Sequence, residues 1–425
     1  MSYKHIRKLI SESTQTGSIV NGRPTLVSVT GKADNIIFTD LVATQATKTP
    51  NAAVYGISVF NTGKDTAGNT VKADIYHDSG TSTGEIGMTQ GYALPEFDVA
   101  KAYIAGEQFK VTDKGLFFEV ASDVTFSSLD GASDYDKLMT GLASAKVRVL
   151  TDAIPYGSDT RDEIAGIDFN LRKWDLEIEA RKLKVSISNE LIEDMRFNSM
   201  DSDALIDEII ASSIAMDINK DIIQKLINVS NRFDDQEYIK NGALDLAGTR
   251  PMIEKSRELY AVICMAASRV YERTTYASTY VICSPKVFSV LSGSGWVRPL
   301  KEESEDETLN STLSGIMNNG MKIYVDRFPL FDYFVVGMQH ELEGLQAVGS
   351  MYYSPYTEND GAGFITIVSP PSDFQPRIGV MVRYALSINN IYSNLTEEER
   401  VKVKANDWNK LMGKSEASQF VRVKF

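Results

Sequence analysis

A chain of 425 residues has room for two or three domains, or for one domain carrying a large insertion. With 43% hydrophobic and 24% charged residues it is globular in composition, which excludes a disordered or fibrous chain. The formal net charge of −13 excludes coating of nucleic acid through the average surface, although a local basic patch stays open.

The first 35 or so residues are polar and follow neither a helical nor a strand period, so they read as an extended arm. Their start, "MSYKHIRKLISESTQTG", lacks the apolar stretch of a signal peptide, and no run of about 18 apolar residues follows anywhere, so a cytoplasmic protein without membrane spans is expected. From residue 36 to 60 an apolar run, a turn at Pro50 and an alternating β-branched stretch predict strand structure. Residues 61–173, rich in Gly, Thr, Ser and Asp, predict a β-rich insertion with short strands in "FKVTDKGLFFEVASDVTFSS" and one helical patch in "YDKLMTGLASA".

"WDLEIEARKLKVSIS" alternates as a strand over residues 174–188. After it, Leu205, Ile206, Ile209, Ile210, Ile214, Ile218, Ile222 and Leu226 keep the three-and-four spacing of one buried helical face, with Asp201 and Asp203 at the start as capping carboxylates. A second long helix begins near Pro251, a favourable first-turn residue, and buries Leu259, Val262, Ile263, Ala266, Ala267 and Val270. Beyond it come a strand in "TTYASTYVICS", a short helix in "PKVFSVLS", an acidic loop in "KEESEDETLNSTLSGIMNNG", and strands in "MKIYVDRF", "YFVVGM", "LQAVGSMYYSPY" and "FITIVS". "FQPRIGVMVRYAL" alternates with Ile378, Val380, Val382, Tyr384 and Leu386 on one face and Arg377 and Arg383 on the other. The closing "QFVRVKF" alternates too, as a strand that needs a partner.

Reactive constellations are sparse. His5, His77 and His340 have no second ligand at metal spacing, so no metal is expected. Cys264 and Cys283, both in apolar contexts, read as buried free thiols. The "LSGSGW" turn fails the glycine spacing of a nucleophile elbow, and the sequence contains neither a P-loop nor a dinucleotide fingerprint, so neither catalytic nor cofactor-binding residues are expected. The acidic run Glu302, Glu303, Glu305, Asp306 and Glu307 lacks the central glycine and terminal glutamate of a calcium loop and reads as a solvated segment. Arg377 and Arg383 lie roughly 20 Å apart on an extended strand, too far for one small anion. They suit separate carboxylates, within the subunit or on a neighbour.

In their order, "RKLKVSISNELIEDM", "ALIDEIIASSIAMDINKDII", "TYVICSPKVFSVL", "KIYVDRF", "YFVVG", "MYYSPY", "FQPRIGVMVRYAL" and "FVRVKF" resemble the major head proteins of T-even-type tailed bacteriophages from about residue 36 to 425. The match is poorest over residues 61–173. The resemblance implies an α+β chain with the tailed-phage capsid fold, the Hong Kong-phage type shared with herpesviruses and encapsulins. Its parts would be an N-terminal arm (1–35), a peripheral-domain strand (36–55) and an extended β-hairpin loop with a β-rich insertion (56–173). A peripheral domain with a long spine helix (174–273), an axial domain (274–356), a return to the peripheral domain (357–390) and a C-terminal segment (391–425) would complete it.

The function so implied is a non-enzymatic shell protein, self-assembling into hexameric capsomers of an icosahedral head that encloses double-stranded DNA without reading its sequence. Alternatives are the pentameric vertex protein of the same phage type, an encapsulin-like compartment, or an enzyme with an unrecognised site. Implied partners are the chain itself, vertex and portal proteins and a decoration protein, with no membrane and no cofactor. Arg377 and Arg383 become candidate inter-subunit contacts. Family members commonly lose a propeptide after a Glu preceded two residues earlier by Leu or Ile, and Ile10, Ser11 and Glu12 repeat that pattern, so the candidate cleavage lies between Glu12 and Ser13.

Overall fold

The computed structural model describes residues 38–45, 47, 51–64, 70–74, 94–111, 116–150, 166–186, 188–190, 193, 202–234, 238–240, 242–299, 313–341, 347–356, 364–368, 377–395 and 397–425. The polar arm, the candidate cleavage at Glu12 and Ser13, His5, His77, Asp201 and the acidic run at 302–307 lie outside these residues. The chain separates into two compact units, Tyr55–Lys173 and the remainder, and is mixed α/β.

The larger unit is organised by two sheets and two long helices. Within its nine-stranded sheet the order runs Ile239–Lys240, Ala243–Asp245, Ser415–Lys424, Tyr333–Gly337, Tyr280–Cys283, Lys322–Val325, Leu313–Met317, Val297–Pro299, with Ser230–Arg232 also on Ser415–Lys424. The middle strands read as continuous apolar runs because both their faces are covered. Tyr280, Ile282, Tyr324 and Val335 pack with Ile218, Ile222 and Leu226 of the helix Ser202–Val229, whereas Val281, Cys283, Ile323 and Val336 pack with Leu259, Val262 and Ile263 of the helix Met252–Thr274. Gly337 faces Tyr280 across the sheet, where a Cβ would collide with the tyrosine ring, so the register of this pair depends on glycine.

The second sheet has five strands centred on Arg377–Ile388. One edge of that strand pairs with Glu179–Ser186; the other pairs first with Phe364–Val368 and then with Met351–Pro355. Its apolar residues Tyr384, Leu386 and Ile388 join the same core as the Ser202–Val229 helix, so this helix ties the two sheets together.

Several expectations are corrected. The run expected as strand over 36–55 contains a helical turn, Phe38–Leu41, because Tyr324 Oη donates to Asp40 Oδ2 (2.6 Å) and Leu41 is buried beneath it. The single strand expected over 174–188 is two, Gly166–Glu177 and Glu179–Ser186, which join different sheets. Ile209 is 47% exposed because the buried stripe of Ile210, Ile218, Ile222 and Leu226 is centred on roughly the opposite side of the helix from it. Pro251 is the N-cap of Met252–Thr274 rather than a first-turn residue, its carbonyl accepting from Glu254 N (3.1 Å). Leu313–Met317, expected as loop, is a strand on Lys322–Val325. Cys264 is half-buried, while Cys283 is buried in the core.

The smaller unit has its own core of Tyr103, Phe109, Phe118, Phe126 and Leu138. The helix Asp134–Ala143 closes it, started by a capping box in which Ser133 Oγ accepts from Asp136 N and the Asp136 carboxylate accepts from Ser133 N. A three-stranded ribbon forms from Thr70–Asp74, Asn51–Lys64 and Gly166–Glu177.

Candidate assembly surfaces

The polar side chains of the core hold elements together. Asp221, on the Ser202–Val229 helix, accepts from Tyr384 Oη at 2.9 Å and pairs with Arg181 Nη2 at 2.9 Å and Lys225 Nζ at 3.3 Å, joining helix and five-stranded sheet at one carboxylate. Burial, and then the neighbouring Asp221 charge, pushes the Tyr384 phenol up and keeps it a donor. Tyr333 donates to Asp326 Oδ2 in the same way (2.7 Å), its phenol raised first by burial and then by Asp326. Burial likewise pushes up the Cys264 and Cys283 thiols, which makes them poor nucleophiles. His340 Nε2 meets the Ala277 carbonyl at 2.6 Å, and Ser294 Oγ accepts from Trp296 N at 3.1 Å in the "LSGSGW" turn. No group of three or more His, Cys, Asp or Glu side chains converges among the described residues.

The two arginines read from the sequence lie on one strand. Arg377 pairs in register with Ser186 and Val368. Arg383 opposes Ala180, and its guanidinium lies over the Tyr356 ring, 4.6 Å from the centroid, while Tyr356 N donates to Arg383 O at 3.0 Å. The Arg383 side chain is therefore stacked on Tyr356 within the subunit, and the residue is half-exposed.

Sequence reasoning missed two surfaces. On the ribbon, Ser58 accepts from Arg172 Nε (2.7 Å), which puts the even-numbered residues of both strands on one side. The odd-numbered Tyr55, Ile57, Phe169 and Leu171 share the other side and are 54%, 60%, 68% and 63% exposed. Alternation had marked the stretch of Tyr55 and Ile57 but not that of Phe169 and Leu171, and alternation alone does not say what covers a face.

The second surface is a cleft of about 840 Å³ between the C-terminal half of the Ser202–Val229 helix, the Ser415–Lys424 strand and the segment 326–331. Lys220, Arg232 and Arg422 line it, and none of the three is ion-paired among the described residues. Phe328 (65% exposed) and Leu330 (90%) stand beside it. The only sequence signal was a short "RFPLF" after a strand.

An apolar ribbon face and an apolar-rimmed cleft are features of a chain that is buried by neighbours rather than one that turns over a substrate. Comparison with known proteins agrees. The family described as Major capsid protein Gp23 matches residues 19–423. The capsid vertex protein of Enterobacteria phage T4 is 32% identical over 430 aligned positions, covering 99% of this chain and 97% of that protein. The major capsid protein of the same phage is 23% identical over 424, covering 89% and 78%. Among solved structures, a chain from the capsid of Myoviridae Phage XM1 aligns over 96% of this chain and 100% of that one at 8% identity and a TM-score of 0.40. The chain belongs to the Major capsid protein Gp23 family: it is a T4-type capsid protein of tailed phages, a non-enzymatic component of the virion shell that assembles with other capsid proteins.

Proposed function

We propose that this chain is the pentameric vertex subunit of the icosahedral head, the reading the sequence had placed second. The observation that carries it is the contrast in similarity: 32% identity across nearly the whole length with the T4 vertex protein, against 23% with the T4 major capsid protein. Hexameric capsomers, the first expectation, remain the second reading, favoured by the description of the matching family. Icosahedral reconstruction of particles decides between them. Density fitted by this chain only at the five-fold positions is the expected result, and the chain in the six-fold lattice would overturn it.

In this reading the arm (1–35), the extended loop with its insertion (56–173), the spine helix, the axial domain (274–356) and the returning strand keep the roles the resemblance implies. Arg377, Arg383 and the Tyr55, Ile57, Phe169 and Leu171 face serve contacts between subunits. Repeated heterologous contacts close rings, and many weak ones sum to a stable shell. The net charge of −13 suits a wall that encloses double-stranded DNA without gripping it. Portal and decoration proteins are the further proposed partners. Cleavage after Glu12 would appear as a mature chain that begins at Ser13, readable as intact mass from particles.

A further inference from the structure

The "LSGSGW" turn carries no reactive constellation, yet it builds a surface. Gly295 takes a left-handed conformation (φ 80°) that a side chain would strain, and Ser294 Oγ accepts from Trp296 N at 3.1 Å. Trp296 O accepts from Asn318 N at 3.0 Å, so the backbone that carries the indole is fixed on both sides. The ring lies beside the helix Met252–Thr274, with its centroid 4.9 Å from that of Tyr260 and 5.6 Å from the guanidinium carbon of Arg257. Ile253 stands one turn before Arg257 on the same helix face. It is 57% exposed, and Trp296 is 38% exposed.

A single exposed apolar side chain means little, but these are grouped and held in place. Trp, Tyr and Arg are the residue types that dominate binding energy in protein interfaces. Arg257 has no carboxylate partner among the described residues, and its neighbour Glu258 is held by Arg250 at 2.7 Å. The adjoining strand Val297–Pro299 is the outermost of its sheet, which leaves backbone donors and acceptors at the rim of the patch. The chain leaves this strand at Pro299, the end away from Trp296. DNA is gripped by rows of cations along its phosphates and has no use for an exposed isoleucine or a strand edge, whereas a folded protein surface uses both.

We propose that Ile253, Arg257, Tyr260 and Trp296 form a docking surface for a neighbouring copy of this chain. This rests on the shell reading. Subunits around a five-fold or six-fold axis meet through heterologous contacts, so each copy needs a surface that fits a different surface of the next. With 57 acidic against 44 basic residues, every copy offers carboxylates in excess for Arg257.

The test uses particles. Ile253→p-benzoylphenylalanine copies, assembled with the rest of the virion and irradiated, should give a covalent dimer of this chain on denaturing electrophoresis, with linked peptides from two copies. A link to DNA or to another virion protein, a link confined to the monomer, or no link would overturn the proposal. In parallel, Ile253→Asp with Arg257→Glu changes only exposed helix positions and places a carboxylate in the first turn, where the helix dipole favours it. The melting temperature should stay within about 2 °C, while incorporation into particles falls about tenfold as an attractive contact becomes repulsive. Incorporation at the wild-type level would overturn the proposal. The photolink reads the contact whatever the charge variant does to folding. Finding the wild-type chain at six-fold positions would overturn the vertex assignment and leave this contact standing, and its absence from particles would overturn both.

Discussion

Asp221 and Arg383 sit on elements of the same core yet do different work. The Asp221 carboxylate satisfies Tyr384, Arg181 and Lys225 together, and its side chain is 11% exposed. Asp221→Asn keeps an acceptor for Tyr384 but leaves Lys225 without this carboxylate and Arg181 with Asp217 alone at 4.0 Å, an expected loss of about 2 kcal/mol after discounting the partly exposed Arg181. A lower urea midpoint of the isolated subunit at unchanged slope checks it. Arg383→Ala, which among the described residues removes the stack on Tyr356, should shift that midpoint little while reducing particle yield. Normal yield would confine Arg383 to its own subunit. The alternation of "RIGVMVRYAL" made the position of Arg383 legible from sequence. Its tyrosine partner was not, because Tyr356 reaches it from a strand folded back by long-range pairing.

Legibility at the scale of elements followed local periodicity. The helices Ser202–Val229 and Met252–Thr274 carry apolar stripes that any fold would bury, so spacing alone located them. The strands Ser230–Arg232, Ile239–Lys240, Ala243–Asp245 and Val297–Pro299 are two or three residues long. No period can be read in so few residues, and they exist because a neighbouring strand offers its hydrogen bonds. The ribbon face failed differently: Tyr55 and Ile57 lay in a stretch read as strand, Phe169 and Leu171 in the insertion before the strand expected from residue 174, and nothing marked the face as uncovered. Since this face contributes nothing to the core of its own unit, Ile57→Asp with Phe169→Asp should leave the melting temperature of the soluble subunit within about 2 °C, as surface changes do. The same pair should abolish entry into particles, measured by sedimentation; particles of normal composition would count against a contact role for the ribbon.

For the whole molecule, division into two units has a consequence for engineering and for folding. The unit Tyr55–Lys173 carries a separate aromatic core and internally paired strands. Its core residues Phe97, Tyr103, Phe109 and Phe126 meet at ring-centroid distances of 4.9–6.3 Å, near the favourable range for aromatic pairs. Residues 94–150 carry that core, and the unit expressed alone should show a single cooperative thermal transition by near-ultraviolet circular dichroism. A featureless near-ultraviolet spectrum would show that its order depends on the rest of the chain. Function was legible at this scale only through colinear blocks, since shell-forming chemistry is distributed over contacts and leaves no compact motif.

The strand Ser415–Lys424 lies inside its sheet, between Ala243–Asp245 and Tyr333–Gly337, although about eighty residues separate it from the latter in the chain. During synthesis at about 5–20 residues per second, the Tyr333–Gly337 edge therefore waits several seconds with its backbone groups unpaired. A ribosome that stops short of residue 415 releases a chain whose central sheet is left in two halves. Such fragments would lack Phe420 and Arg422 of the cleft and the strand that joins the two halves of the sheet, so chains stopped short of it are expected to be missing from particles.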